Sequence, residues 1–334
     1  MILKSRTFSL ALLLAIAVMA PGVLRAQDAQ PMSETQLGTA GAGSKTAGGS
    51  ANGAAAGEVT SPPATGTAGP ESAAFDGTYI WVATQFNDSV SRIRVSDGLT
   101  SGPFAVGKRP VALLYAAGSV WVANLLGDNV TKLNPATGAT VATYTVGDGP
   151  GGLAFDGTNL WIANREDNTV TKMSTAGAIL GTFAVGKRPM GVAVVGGAVF
   201  VVNNFSNSVT KLSLAGATLG TFAVGRGPFG IAGQGENVWI TNYFDKSVTK
   251  LRAVDGFNLG TYKVGDGASG IAFDGTSMWV VSNGDNNVMK LAPSTGSVIS
   301  TYATGKGPFA VVFDGVKIWV PNFASNSISS TAAN

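Results

Sequence analysis

PGGLAFDGTNLWIANREDNTVTKMSTAGAILGTFAVG, residues Pro150 to Gly186, decides how the chain is read, because versions of it come round seven times. Its central aromatic returns at Trp81, Trp121, Trp161, Phe200, Trp239, Trp279 and Trp319, at spacings of 40, 40, 39, 39, 40 and 40 residues. A proline opens the phrase at Pro70, Pro110, Pro150, Pro189, Pro228 and Pro308, with Ala268 in the sixth. All six tryptophans stand at the aromatic position. A unit of this size cannot bury a core alone, so the seven must stack into one domain.

Within the quoted phrase four short runs are separated by turn chemistry: Gly152 to Phe155, Leu160 to Ala163, Thr169 to Met173 and Leu180 to Val185. Asp156-Gly157 between the first two signals a tight hairpin with positive φ at both turn positions. No phrase carries a 3.6-residue apolar period over ten positions, so helices are not expected. Four antiparallel strands per unit of about 40 residues are the blade of a propeller. The expected fold is all-β, a seven-bladed β-propeller of four-stranded blades over residues 57–334. Two residues after the opening proline stand Ser72, Ala112, Gly152, Gly191, Gly230, Gly270 and Ala310, small enough for strands converging on an axis. The marker aromatics, one strand further out, would fill the wedge between blades, each burying roughly 150–250 Å². That stripe is core, not a cofactor site.

The ends add detail. Lys4 and Arg6 precede an apolar run from Phe8 to Ala20, and Leu24-Arg25-Ala26 offers a cleavage point, so residues 1–26 read as a signal peptide. Thirteen apolar residues are too few to span a bilayer, which takes about 20. Residues 27–56, rich in Gly, Ala, Ser and Thr, read as a disordered tether. An exported protein, periplasmic or extracellular, is expected, with no membrane span. The seventh phrase has only three strands before Asn334, and Glu58 to Thr65 could supply the fourth; a three-stranded last blade is the alternative. Of 22 Lys and Arg, three lie in the first 26 residues, leaving 19 against 19 Asp and Glu. A neutral remainder disfavours nucleic acid as a partner.

WVAN at Trp121–Asn124, WIAN at Trp161–Asn164, FVVN at Phe200–Asn203, WITN at Trp239–Asn242 and WVPN at Trp319–Asn322 resemble the motif that names the YVTN-repeat β-propeller family. The following Asn168-Thr169-Val170 and the Val146-Gly147-Asp148-Gly149-Pro150 turn fit the same pattern, over about Pro70 to Asn334. Trp replaces the Tyr, and Thr84 and Ser282 replace the Asn in two phrases. The resemblance implies a secreted or envelope-associated seven-bladed ring. Gly227-Pro228-Phe229-Gly230-Ile231 is also similar to an element of streptogramin lyases, seven-bladed propellers in which the resemblance implies histidines, a glutamate and magnesium. This chain has no histidine, so that chemistry transfers to no residue.

Without His or Cys, imidazole and thiolate catalysis and ordinary zinc sites are excluded. No nucleophile elbow, calcium loop or phosphate-cradling loop is present. Two faces then differ. One carries the Asp-Gly hairpins and is repetitive. The other carries the inter-phrase loops, with Lys108, Arg109, Asp148, Lys187, Arg188, Arg226, Asp266 and Lys306. After the opening prolines it shows Glu71, Met190, Phe229 and Phe309, and in neighbouring loops Phe86, Leu125, Arg165, Glu166, Phe205, Tyr243, Phe244 and Phe323. Aromatics and arginines at loop tips on a rigid scaffold suit binding. The candidate binding face is Glu71, Phe86, Lys108, Arg109, Asp148, Arg165, Lys187, Arg188, Phe205, Arg226, Phe229, Tyr243, Phe244, Asp266, Lys306, Phe309 and Phe323. The third-strand ladder Arg92, Lys132, Lys172, Lys211, Lys250 and Lys290 reads as structural, with stems on apolar surface and heads reaching water.

The expected function is a non-catalytic binding or scaffold propeller, monomeric, engaging a protein, glycan or small anionic ligand on the irregular face. The alternative is a metal-dependent lyase or lactonase at the central channel mouth. No cofactor is expected on the first account, and a divalent cation on the second.

Overall fold

The computed structural model describes residues 57–59 and 69–333. The expected signal peptide, the Gly/Ala-rich segment 27–56 and residues 60–65 of the expected closing strand lie outside the described residues. Seven four-stranded antiparallel sheets follow one another along the chain. They form a seven-bladed β-propeller. Blade 3 comprises Pro150–Phe155, Asn159–Asn164, Thr169–Ser174 and Ile179–Ala184, within two residues of the four runs read from the sequence. Blades 1, 2, 4, 5 and 6 begin with innermost strands Pro70–Phe75, Pro110–Ala116, Pro189–Val195, Pro228–Gln234 and Ala268–Phe273.

Blade 7 takes strands from both ends of the chain. Val312–Phe313, Lys317–Asn322 and Ser327–Ala332 are joined by Gly57–Val59, which runs antiparallel to Ile328–Ser330. Ring closure therefore covers an otherwise open strand edge.

The marker aromatics fill the wedges. Seven clusters of buried residues each join one blade's aromatic to the next blade, as Trp161 packs with Val199, Val201 and Leu212, and Trp319 with Ile80, Val82 and Ile93. Five tryptophans and Phe200 are fully buried. Small residues after the opening proline serve close approach between blades. A Cβ at Gly152 would run into the Met190 carbonyl oxygen, and one at Gly230 into that of Ser269.

Cross-strand register explains the basic ladder and corrects one expectation. Lys172 lies opposite Trp161, its Nζ 5.4 Å from the ring centroid, and donates to the Leu214 carbonyl of the next blade at 2.7 Å. Lys132, Lys211 and Lys250 reach Thr175, Val254 and Pro293 in the same way. The ladder heads do not end in water; they tie each blade to its neighbour. A second correction concerns the Asp-Gly hairpins. Only the glycine of each pair has positive φ, 97° at Gly77 and 92° at Gly157. The aspartate instead caps the turn: Asp156 Oδ1 accepts the N–H groups of Thr158 and Asn159, and Oδ2 the Trp161 indole N–H at 2.8 Å.

Candidate functional site

The residues that follow the phrase openings stand at the end of the ring where the inter-blade loops lie. In blade order these positions are Glu71, Val111, Gly151, Met190, Phe229, Ser269 and Phe309. Six of them, with Arg165 above, line a cavity of about 260 Å³ at the channel mouth. Its walls differ. Met190, Phe229 and Phe309 are apolar, with the two phenyl rings edge-on at 5.3 Å between centroids. Facing them are one carboxylate, from blade 1, and one guanidinium, from blade 3.

Arg165 occupies the space that Gly151 leaves. A side chain at position 151 would collide with the Arg165 guanidinium, so the glycine is what lets the arginine lie over the cavity. Its backbone N–H is pinned to the Gly149 carbonyl at 2.9 Å. Its Nε is buried without a hydrogen-bond partner. Glu71 is 9% exposed, and its Oε2 is likewise buried and unpartnered. Among the described residues no arginine or lysine nitrogen lies within 4.0 Å of a Glu71 oxygen. Burial pushes the Glu71 carboxyl up, with Arg165 and Arg109 pulling the other way. Burial also brings Arg165 down to about 10, with Glu71 opposing and Arg188 and Arg109 adding, so it remains a cation at neutral pH. A buried polar group without a partner costs roughly 1–3 kcal/mol, more when charged.

The loops that carry these groups are held by a repeated latch. At the end of the second-to-third-strand loop, Asp88, Asp128, Asn168, Asn207, Asn286 and Asn326 adopt the left-handed conformation, φ 48° to 57°. Each accepts the N–H of a residue in the following inter-blade loop, as Asn168 does from Arg188 at 2.8 Å and Asn326 from Gly69 at 2.9 Å. The asparagine of the W-x-x-N element lies beneath. Asn164 Nδ2 donates to Thr169 and Thr171 hydroxyls. A Cβ at Gly147 would strike that same side chain. The VG turn therefore needs its glycine, and the asparagine is structural.

Of the residues expected on this face, Glu71, Arg165, Phe229 and Phe309 meet at the cavity. Phe323 and Phe86 extend its aromatic wall, with centroids 6.4 Å from Phe309 to Phe323 and 5.5 Å from Phe323 to Phe86. Arg109 and Arg188 stand close by but are engaged: Arg109 Nε donates to Gln85 Oε1 at 2.8 Å, and Arg188 lies 4.8 Å over the Phe205 ring. The others form an outer rim. Arg226 pairs with Asp245 at 2.6 Å and Asp266 with Lys246 at 2.9 Å. The Arg226 backbone N–H, with its guanidinium, holds the Asp245 carboxyl below its ordinary value. Lys108, Asp148, Lys187 and Lys306 are exposed. Tyr243 and Phe244 pack edge-on at 5.2 Å, and burial, with the Asp266 charge, raises the Tyr243 phenol. Sequence reasoning passed over Gly151 and Val111. The signal for Gly151 was there: it is the one glycine among the seven residues that follow the phrase opening. Among the described residues no three His, Cys, Asp or Glu side chains converge, and no helix is long and apolar enough to cross a membrane.

No protein-family model matches the chain, the YVTN repeat included, and no curated protein matches it. Solved structures do. The ring is similar to hydrazine synthase of Kuenenia stuttgartiensis at 16% identity and TM-score 0.73, over 83% of this chain and 99% of that one. Virginiamycin B lyase from Staphylococcus aureus, in a catalytically inactive histidine-to-alanine form with Quinupristin, matches at 18% identity and TM-score 0.73, over 83% and 99%. A chain of the Mitotic Checkpoint Complex matches at 13% and 0.74, over 92% and 99%. Identities this low show the fold alone.

Proposed function

We propose that this chain is a non-catalytic binding propeller whose ligand, a small polar or anionic molecule, seats in the channel mouth. One observation carries this: a buried glutamate and a half-buried arginine, each with a buried unpartnered side-chain atom, line the same cavity with no close ion pair between them among the described residues. A structural role would have brought them into contact. At about 260 Å³ the cavity is below the roughly 300–1,000 Å³ of sites for drug-sized ligands, which favours a small metabolite. The lyase is inactive when one histidine becomes alanine, and this chain contains no histidine, which supports binding over that chemistry. Export, with the Gly/Ala-rich segment as tether, is part of the proposal and rests on the N-terminal sequence.

Thermal melts of the full chain against a panel of small anions, zwitterions and sugars test it. A ligand at 100 times its Kd stabilises by about 2.7 kcal/mol. At least one compound should raise the melting temperature of the wild type and leave Arg165→Met unmoved. An equal shift in Arg165→Met would place the ligand elsewhere. Chelator-sensitive turnover of a panel compound would make the ring an enzyme.

A further inference from the structure

We infer that the ligand is a free amino-acid-type zwitterion with an apolar side chain, its ammonium on Glu71, its carboxylate on Arg165 and its side chain against Met190, Phe229 and Phe309. The inference rests on the binding function proposed above and specifies its chemistry. Three features of the mouth carry it.

The charges are opposite and separate, the carboxylate buried and the guanidinium half-buried with its Nε enclosed. Glu71 comes from blade 1 and Arg165 from blade 3, and among the described residues no cation within 4.0 Å neutralises the carboxylate. A simple anion would satisfy Arg165 and leave Glu71 without a donor; a simple cation would do the reverse. A molecule that carries an ammonium and a carboxylate on one carbon satisfies each and adds no net charge to a desolvated site, where an uncompensated ion is costly. The other cations near the mouth act on the pair only at longer range, with Arg109 Nε held on Gln85 and Arg188 stacked on Phe205.

The third wall is apolar and aromatic. Met190 is 8% and Phe309 9% exposed, and Phe229 meets Phe309 edge-on, so a hydrocarbon or aryl group entering here finds dispersion contacts and a favourable ring edge. The polar pair and the apolar wall face one cavity of about 260 Å³. That space suits a single amino acid better than a nucleotide or an oligosaccharide.

Calorimetric titration of the full chain with three probes tests the assignment: L-phenylalanine, 3-phenylpropionate, which lacks the amine, and phenethylamine, which lacks the carboxylate. Hydrogen bonds to charged groups are strong enough that losing either should weaken binding about tenfold or more. In Glu71→Gln, an isosteric change, the preference for phenylalanine over 3-phenylpropionate should shrink to about threefold or less, on the same scale. If 3-phenylpropionate binds wild type as well as phenylalanine does, the zwitterion assignment fails while an anion site at the mouth stands. If the three probes give no heat but another panel anion shifts wild type and not Arg165→Met, the result is the same. If nothing small binds at the mouth, both the assignment and the proposed function fall.

Discussion

The two ends of the ring hold carboxylates in opposite ways. On the hairpin face Asp76, Asp156, Asp274 and Asp314 each accept two backbone N–H groups on one oxygen and a tryptophan indole on the other, at 2.6–2.9 Å. At the mouth Glu71 has a buried oxygen with no hydrogen-bond partner among the described residues. The first arrangement is self-sufficient and recurs in four of seven blades. The second occurs once and is incomplete within the protein. Half-buried carboxylates with every bond made maintain the fold; a buried carboxylate left unsatisfied on a rigid frame points to a ligand.

The comparison breaks most visibly at the wedge. Trp161→Ala should cost about 3–5 kcal/mol, as deletion of a buried aromatic does. It should also free Lys172, whose nitrogen lies over that ring. Denaturant melts would show the loss directly. Next in size, Asp156→Ala removes the acceptor for two N–H groups and the indole, for about 1–3 kcal/mol. Asp148→Ala, eight residues away on the mouth rim, should stay within about 0.5 kcal/mol, because its side chain is exposed. Equal losses at 148 and 156 would erase the distinction between the faces.

That distinction was legible only in part. Period, proline and aromatic are local signals, and they specified blades, strand order and the aromatic wedges. Small residues at Gly152 and Gly230 were legible as crowding, though what crowds them is the next blade's carbonyl. The role of the ladder lysines is not legible in a single phrase, because their acceptors lie 43 residues away, in a turn whose only signal is its backbone. At the mouth, residue types were visible but not their fates. In Lys108-Arg109 and Lys187-Arg188 one cation points out and its neighbour turns in, set by positive φ at the arginines, 56° and 52°. The five other loops place glycine there, at Gly69, Gly149, Gly227, Gly267 and Gly307. An L-residue pays roughly 1–2 kcal/mol for that conformation. Which charge ends up buried depends on a gap in another strand, and single-phrase reading has no access to it.

The two faces should also respond to pH with opposite sign. Burial raises the Glu71 carboxyl in the folded state, so between its unfolded and folded values the folded protein holds the extra proton. Stability from this group is therefore present at low pH and lost as pH climbs through that window. Glu71→Gln should leave acid stability unchanged and raise the melting temperature of the free protein toward neutrality. Asp156 and Asp274 run the other way. Burial opposes their ionisation, but the backbone N–H groups and the indoles outweigh it and lower both. Their contribution is present above the ordinary carboxylate range and disappears as pH falls through the folded values. Asp156→Asn should thus be most harmful near neutrality and least harmful in acid. Parallel pH trends for the two variants would mean that Glu71 is a satisfied structural acid after all.

The smallest effect belongs to the rim. Arg226 and Asp245 pair at 2.6 Å, but their side chains are 72% and 30% exposed. Exposed pairs contribute about 0–1 kcal/mol, because water screens them and two long side chains must be ordered. A double-mutant cycle with Arg226→Ala and Asp245→Ala should return a coupling in that range, smaller in high salt. Asp245 also accepts the Arg226 backbone N–H at 2.7 Å, so Asp245→Ala alone should cost more than Arg226→Ala. This asymmetry is informative. It would show that the loop is held by a side chain capping a backbone N–H, as in the six asparagine and aspartate latches, and that the ion pair is incidental. A salt-sensitive coupling well above 1 kcal/mol would instead mean that charge organises the mouth, and the boundary between rim and cavity would have to be drawn further out.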